Sequence, residues 1–236
     1  MKPTKGYIFI DIDGTLVDAS LTLNKVDVDS IVSVMELGYD VILTSGRPLK
    51  FVEWIRDQIH ENVKVIGFNG AMVETEVLKT LSKATIDELM HLEETVIFKN
   101  ENGYFSNKQQ IPQVFEYEML DDYSQCKTPI SDILKVIVWV GDQDFLKVQK
   151  QLESIKGITL MSYYPKGFEI MPQGIDKGVA IKHYVDKKLP IYSIGNDVND
   201  IPMFQVSDAY YVVGDKLEGQ QVKNVSEAIH KIIGGI

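Results

Sequence analysis

The chain contains one cysteine, Cys126, among 236 residues. An internal disulfide is therefore excluded, which suits a reducing compartment. Cys126 has no histidine near it in sequence and does not read as a catalytic nucleophile. Histidine is scarce as well. His60, His91, His183 and His230 stand apart, without the spacing of metal ligands, and read as surface or satisfied core residues. No apolar run approaches the ~20 residues that a membrane-spanning helix needs. The apolar stretch near the N-terminus is broken by Asp11, which argues against a signal peptide. A cytoplasmic protein without a membrane partner is the expectation. Basic residues are in deficit, with 24 Lys and Arg against 34 Asp and Glu, for a net charge of −10. That balance excludes nonspecific nucleic-acid binding, which relies on basic surface. It also means that any phosphate site must be built locally, from a metal, a lysine and backbone N–H groups. Repeats and low-complexity segments are absent.

What is present is a soluble globular composition, 44% hydrophobic and 25% charged, long enough for one large domain or two small ones. The informative stretch is Tyr7-Ile8-Phe9-Ile10-Asp11-Ile12-Asp13-Gly14-Thr15. A short apolar run predicts a buried strand, which ends on two carboxylates one residue apart. Gly14 and Thr15 let the chain turn there. Acids at the carboxyl end of a strand lie where ligands bind in open α/β sheets. Two such acids repel, so they call for a shared proton or a hard cation such as Mg²⁺. A bare pair of this kind is equally an ordinary strand end capping a turn.

Val28, Ile31, Val32 and Met35 predict a helix over 27–37, closed by Gly38. A second strand over 39–43 runs into Thr44-Ser45-Gly46-Arg47. Pro48 suits the first turn of a helix with Phe51, Val52, Ile55 and Ile59 on its apolar face. A third strand over 63–68 ends in Asn69-Gly70-Ala71. This strand–helix alternation predicts a parallel sheet with right-handed crossovers. From about Thr80 the rhythm changes. The spacing predicts a helix over 85–91, a strand over 95–99, a hairpin at Asn102-Gly103 and a loose helix through Ile111, Val114, Phe115 and Met119. A strand over 134–140 follows, then a helix capped by Asp142 and closed by Gly157. Strands over 158–164 and 168–171 flank Pro165-Lys166-Gly167. The α/β rhythm resumes with a helix capped by Asp176, a strand over 191–194, the turn Asn196 to Asp200, a short helix, a strand over 210–213 and a helix over 225–233. The fold class expected is therefore α/β, a Rossmann-like parallel-sheet core over 1–79 and 173–236 with an inserted α+β domain over 80–172.

Four polar groups share one design, each at the end of an apolar strand or the start of a helix: Asp11 and Asp13, Thr44 and Ser45, Lys177, and Asn196 through Asp200. Taken singly, Ser45 is a turn residue, Lys177 a solvated lysine, and the last group a capped loop. In a parallel sheet the strand ends meet at one edge, so these groups can converge. Taken together, the chain resembles the haloacid dehalogenase (HAD) superfamily, and closely its Cof-type phosphatases. The four motifs appear in order as Asp11-Ile12-Asp13-Gly14-Thr15, Ser45-Gly46-Arg47, Lys177 and Gly195-Asn196-Asp197-Val198-Asn199-Asp200-Ile201, and Asn69-Gly70-Ala71 matches a Cof-type feature.

The resemblance implies that the insertion is a C2-type α/β cap that closes over the site and selects the substrate. Tyr163, Tyr164, Lys166, Phe168 and Glu169 in its last hairpin are candidates to reach substrate, although such residues more often pack across strands. It implies Asp11 as nucleophile and Asp13 as general acid and base. Ser45, Gly46, Lys177 and Asn199 would bind phosphate. Mg²⁺ would be held by Asp11, the Asp13 carbonyl and Asn196, with Asp200 supporting from behind. Asn196 stands where the family usually has an aspartate, which predicts weaker metal affinity, and Asp197 is an alternative ligand. The implied function is a Mg²⁺-dependent phosphatase for small phosphorylated metabolites, sugar phosphates or phosphorylated cofactors, acting as a monomer or weak homodimer. A phosphomutase or phosphotransferase, and a regulatory protein that binds phosphate esters without hydrolysis, remain alternatives.

Overall fold

Five consecutive buried residues, Tyr7–Asp11, form β1 near the centre of the larger sheet. The computed structural model describes residues 3–108, 131–141, 144–163, 166–185 and 188–234. After β1 come α1 (Lys25–Glu36), β2 (Asp40–Thr44), α2 (Leu49–Asp57) and β3 (Lys64–Gly67). A 3-10 turn, Phe68–Gly70, leads into the short β4 (Met72–Val73) and β5 (Glu76–Val77). Next are α3 (Lys83–Met90), β6 (Thr95–Asn100), β7 (Gly103–Ser106), β8 (Lys135–Trp139), α4 (Phe145–Glu153), β9 (Ile158–Tyr163) and β10 (Gly167–Pro172). The chain closes with α5 (Lys177–Tyr184), β11 (Ile191–Gly195), a 3-10 turn at Val198–Asp200, α6 (Ile201–Phe204), β12 (Ala209–Val213), β13 (Gln220–Val222) and α7 (Val225–Gly234).

The chain divides into two units, one made of Met1–Glu76 and Asp176–Ile236, the other of Val77–Ile175. The expected boundaries lay at 79/80 and 172/173. In the first unit the sheet order is β13-β12-β11-β1-β2-β3-β4-β5. All pairings from β13 to β3 are parallel, and β4 joins β3 antiparallel. The chain winds outward from β1 through β2 to β3, then returns on the other side of β1 at β11. That reversal beside β1 is a topological switch point, where the carboxyl ends of open sheets leave a crevice. α2 buries Phe51, Val52 and Ile55 as its spacing predicts, with Leu49, whereas α1 buries Ile31 and Val34 and leaves Val28, Val32 and Met35 half-buried. Tyr184 of α5 packs edge-on against Tyr7 and Phe9 of β1.

The second unit holds a five-stranded sheet in the order β7-β6-β8-β10-β9, with its neighbouring strands antiparallel. One face is apolar and joins α3 and α4 through Leu89, Val96, Phe98, Val136, Val138, Val148, Leu152 and Ile170. Phe168 stacks on Phe145 with ring centroids 4.4 Å apart, so this candidate for substrate contact is a core residue. On the other side, Ile97, Tyr104 and Ile137 form a small cluster with Trp139. Lys135 and Glu169 form an ion pair there, both largely buried.

Two local expectations are corrected. The two-residue loop of the β6–β7 hairpin is Glu101 and Asn102, because Asn100 pairs with Gly103. Asn100 Oδ1 accepts from the Asn102 N–H and ties that loop. Asp144, not Asp142, caps α4, accepting from the N–H groups of Leu146 and Lys147. Lys177, which taken alone reads as solvated, is fully buried. Asp142, Cys126, Tyr164, Pro165 and the helix expected through Ile111, Val114, Phe115 and Met119 lie outside the described residues. No helix among the described residues is long and apolar enough to cross a membrane.

Candidate active site

The site is built at the carboxyl ends of β1, β2 and β11, with the N-terminus of α5 beside them. β1 ends on Asp11, in register with Thr44 at the end of β2. Ser45 follows directly, and Asn196 follows the end of β11. Asp176 caps α5, its side chain accepting from the Val179 N–H at 2.8 Å, and this places Lys177 at the first helical position. The polar strand ends separated by up to 189 positions therefore share one edge.

At the centre stands a buried triad. Lys177 Nζ donates to Asp11 Oδ1 and Asp200 Oδ1, both at 2.6 Å. Lys177 and Asp200 are inaccessible, and Asp11 is 4% exposed. Burial pushes the Asp11 carboxyl up, and the neighbouring Asp200 adds to this against the opposing pull of Lys177, so it titrates at about 7. Burial works against the charge on Lys177, but the two carboxylates outweigh it and raise its pKa. A charged lysine between two acids is the arrangement that tolerates such burial. The second oxygen of Asp200 accepts from the backbone N–H groups of Asn196 and Asp197, at 2.7 and 3.0 Å. One carboxylate thus joins the turn after β11 to Lys177.

Asp13 lies closer to solvent. Arg47 grips its carboxylate, donating from Nη2 to Oδ1 at 2.9 Å and from Nε to both oxygens at 3.2 Å. Ser45 Oγ donates to Asp13 Oδ2 at 3.2 Å and itself accepts from the Arg47 N–H. The Arg47 guanidinium also sits 4.7 Å above the ring of Phe51. Arg47 was visible in the sequence only as the third residue of Ser45-Gly46-Arg47. Its grip on Asp13 carried no signal there, because 34 positions separate them. Gly46 lies between Ser45 and Arg47 on this loop.

Asn196 fits the part of a metal ligand. It is 6% exposed, and its buried Oδ1 has no hydrogen-bond partner among the described residues. A side-chain oxygen in that state is a ready donor for a hard cation. Gly14, at φ +80°, makes room for it: a Cβ there would lie 2.2 Å from Asn196 Nδ2. Asp197 is otherwise occupied, with Oδ1 on the Val198 N–H and Oδ2 on Lys216 at 2.6 Å. Among the described residues no three His, Cys, Asp or Glu side chains gather as a metal set. The groups that would hold such a cation, the Asp11 carboxylate, the Asp13 carbonyl and the Asn196 amide, all offer oxygen, the donor that Mg²⁺ prefers.

Asn199 is half-buried in the same turn, and its Nδ2 donates to Asn69 Oδ1 at 3.3 Å. Asn69 is buried and left-handed, at φ 51°, directly after Phe68 at φ 50°. A left-handed conformation costs a bulky residue such as Phe about 1–2 kcal/mol. Strain of this kind clusters at functional sites.

Comparison with known proteins agrees with this geometry. A sequence profile of haloacid dehalogenase-like hydrolases matches residues 8–231. The 5-amino-6-(5-phospho-D-ribitylamino)uracil phosphatase YitU of Bacillus subtilis (strain 168) is 18% identical over 261 residues, covering 97% of this chain and 94% of YitU. BT1666 from Bacteroides thetaiotaomicron, a phosphatase of the HAD enzyme superfamily, superposes with a TM-score of 0.79 at 18% identity, over 99% of this chain and 96% of its own. BT4131, a HAD subclass IIB sugar phosphatase, gives a TM-score of 0.77 at 18% identity, over 98% of this chain and 100% of its own. From its four motifs, its sheet topology and this match over nearly its full length, the chain belongs to the haloacid dehalogenase-like hydrolases.

Proposed function

We propose that the chain is a Mg²⁺-dependent phosphatase that hydrolyses small phosphorylated metabolites, sugar phosphates or phosphorylated cofactors, through an aspartyl-phosphate. The observation that carries this reading is the buried Lys177 bound to Asp11 and Asp200, with Asp13 at the mouth of the same strand end. YitU and BT4131 support the substrate class by their names. The inserted unit is read as the cap domain.

The Asp11 carboxylate attacks phosphorus, and the bond from phosphorus to the leaving oxygen breaks. Asp13, which has to leave its Arg47 ion pair and carry a proton for this step, gives that proton to the oxygen, so an alcohol leaves rather than an alkoxide. Water then attacks the aspartyl-phosphate. Asp13, now ionised, takes its proton, the bond between phosphorus and Asp11 breaks, and inorganic phosphate departs. Lys177 holds Asp11 in place and places positive charge beside the phosphoryl group. Ser45 Oγ, the Gly46 N–H and the Asn199 amide donate to its oxygens. Asp11, the Asp13 carbonyl and Asn196 would hold Mg²⁺, which when bound neutralises phosphate charge. Asp200 fixes the Asn196 turn relative to Lys177.

The test is release of inorganic phosphate from p-nitrophenyl phosphate with Mg²⁺ and no added acceptor. Turnover is expected in the wild-type protein. Asp11→Asn is expected to fold and to lose more than 99% of the rate. A variant keeping a tenth of the rate rules out Asp11 as nucleophile. Release of p-nitrophenol that requires an added acceptor and yields the phosphorylated acceptor instead of inorganic phosphate favours a phosphotransferase, and tight ester binding without release of either product favours a binding protein.

A further inference from the structure

The 3-10 turn Phe68–Gly70 carries three successive residues at positive φ, namely Phe68 at 50°, Asn69 at 51° and Gly70 at 99°. Glycine adopts that region at no steric cost, and asparagine does so more readily than most residues, but phenylalanine is a true outlier there. All three are buried. A strained backbone persists only where its surroundings over-determine it, and three anchors hold this one. The Phe68 N–H donates to the Arg47 carbonyl at 2.8 Å, and the Asn69 N–H to the Ser45 carbonyl at 2.9 Å, so the turn is stitched to the loop that carries both residues. Gly70 lies against the start of α5: a Cβ on it would fall 2.4 Å from the Asp176 carbonyl oxygen, next to Lys177. Asn69 Oδ1 accepts from Asn199 Nδ2 at 3.3 Å. One short turn therefore touches the Ser45 loop, the α5 N-terminus and the Asn196–Asp200 turn.

We propose that Asn69 is a positioning residue, which accepts one N–H of the Asn199 amide and so leaves the other oriented for a phosphate oxygen. The proposal rests on the reading that Asn199 contacts phosphate. Its physical content is the orientation of an amide. Asn199 can present either its oxygen or its nitrogen to a neighbour, and an oxygen facing phosphate repels it. With the Asn69 amide oriented as it is here, its oxygen toward Asn199, it selects the donating orientation before substrate arrives, and this preorganisation lowers the cost of binding. The strained turn holds the Asn69 backbone beside Asn199, tied at Ser45 and Arg47.

Asn69→Gly and Asn69→Ala separate the amide from the backbone. Both delete the acceptor, but glycine relieves the left-handed strain whereas alanine keeps it. The wild type, these two variants, Asn199→Ala and Asn69→Gly/Asn199→Ala are compared in thermal unfolding. In the same set, kcat and KM for p-nitrophenyl phosphate and the inhibition constant of inorganic phosphate are measured. The expected result is that both Asn69 variants weaken phosphate inhibition about tenfold, although the glycine variant unfolds at the higher temperature. In the double variant, the Asn69 change should cost no further affinity beyond Asn199→Ala. The proposal is overturned if phosphate affinity follows thermal stability, with Asn69→Gly at the wild-type value, or if the two sites act independently in the double variant. An inhibition constant that Asn199→Ala leaves unchanged, in an enzyme that turns over, removes the phosphate contact itself and the proposal with it. No turnover in the wild type sinks the phosphatase reading instead.

Discussion

Asn196 and Asp197 sit side by side in one turn but face different tasks. Asn196 keeps a buried oxygen with no hydrogen-bond partner among the described residues, whereas both Asp197 oxygens are engaged, one by a backbone N–H and one by Lys216. The metal reading therefore predicts opposite effects for changes at the two positions. Asn196→Asp adds a formal charge to the donor set and should tighten Mg²⁺ activation about tenfold, the size of one modest charge interaction. Asp197→Ala should leave the Mg²⁺ midpoint within about twofold and cost stability instead, since it removes a cap worth about 1 kcal/mol. A Mg²⁺ titration of phosphate release in both variants checks this, and a loss of Mg²⁺ response in Asp197→Ala alone would reverse the assignment. At this scale the sequence was partly legible. The residue types of the site could be named, because acids, an amide and a lysine at strand ends imply a chemistry. Their partners could not. Lys177 by itself is indistinguishable from a surface lysine, and its burial follows from two carboxylates 166 positions before it and 23 after. Arg47 is equally silent until the fold sets it against Asp13.

Local chemistry set most of the elements. Asn24, Ser82 and Asp176 cap α1, α3 and α5 with their side chains, each accepting a backbone N–H of the first turn. The missed pieces are short: β4 and β5 have two residues each and β13 has three, too few to show a period. The hairpin at Asn102-Gly103 moved by one position because Asn100 claims the Asn102 N–H and Gly103 enters the strand. α5 offers a prediction that runs against helix propensity. Gly178 is helical, and glycine to alanine in a helix usually gains about 1 kcal/mol. Here a Cβ would lie 2.3 Å from the Pro202 carbonyl oxygen at the start of α6. Gly178→Ala should therefore destabilise the protein by about 1–3 kcal/mol, as overpacking does. It should also lower turnover, because the displaced helix carries Lys177. Denaturant unfolding gives the sign directly, and a stabilised variant would show that α5 and α6 adjust freely.

At the level of the whole molecule, the site charges bear on stability through protons. Asp11 titrates at about 7 in the folded protein, above the ordinary 3.8. The folded state then holds this proton more tightly than the unfolded chain. The contribution is most favourable below the unfolded value and is lost as pH rises toward 7. Without metal, the apparent unfolding temperature should fall between pH 5 and pH 8, and fall less in Asp11→Asn. Mg²⁺ competes with the same proton, so its stabilising effect should grow with pH up to about 7 and then level off. Thermal unfolding of both proteins in EDTA and in Mg²⁺ across that range is the measurement. Identical pH dependence in the two proteins would mean that Asp11 is not the group that titrates.

The amino-acid sequence by itself determined the α/β rhythm, the inserted antiparallel segment and the kinds of side chain at the strand ends. These are local matters of apolar period, capping and turn chemistry, each readable within about a dozen residues. Tertiary structure alone decided the strand order β3-β2-β1-β11-β12 and the reversal beside β1 that gathers those ends. It also decided the buried bridge from Asp11 through Lys177 to Asp200 and the tie between Asn69 and Asn199. Each of these depends on groups far apart in the chain meeting where water is excluded. Burial sets the strength of such contacts, and no single segment carries the information about it.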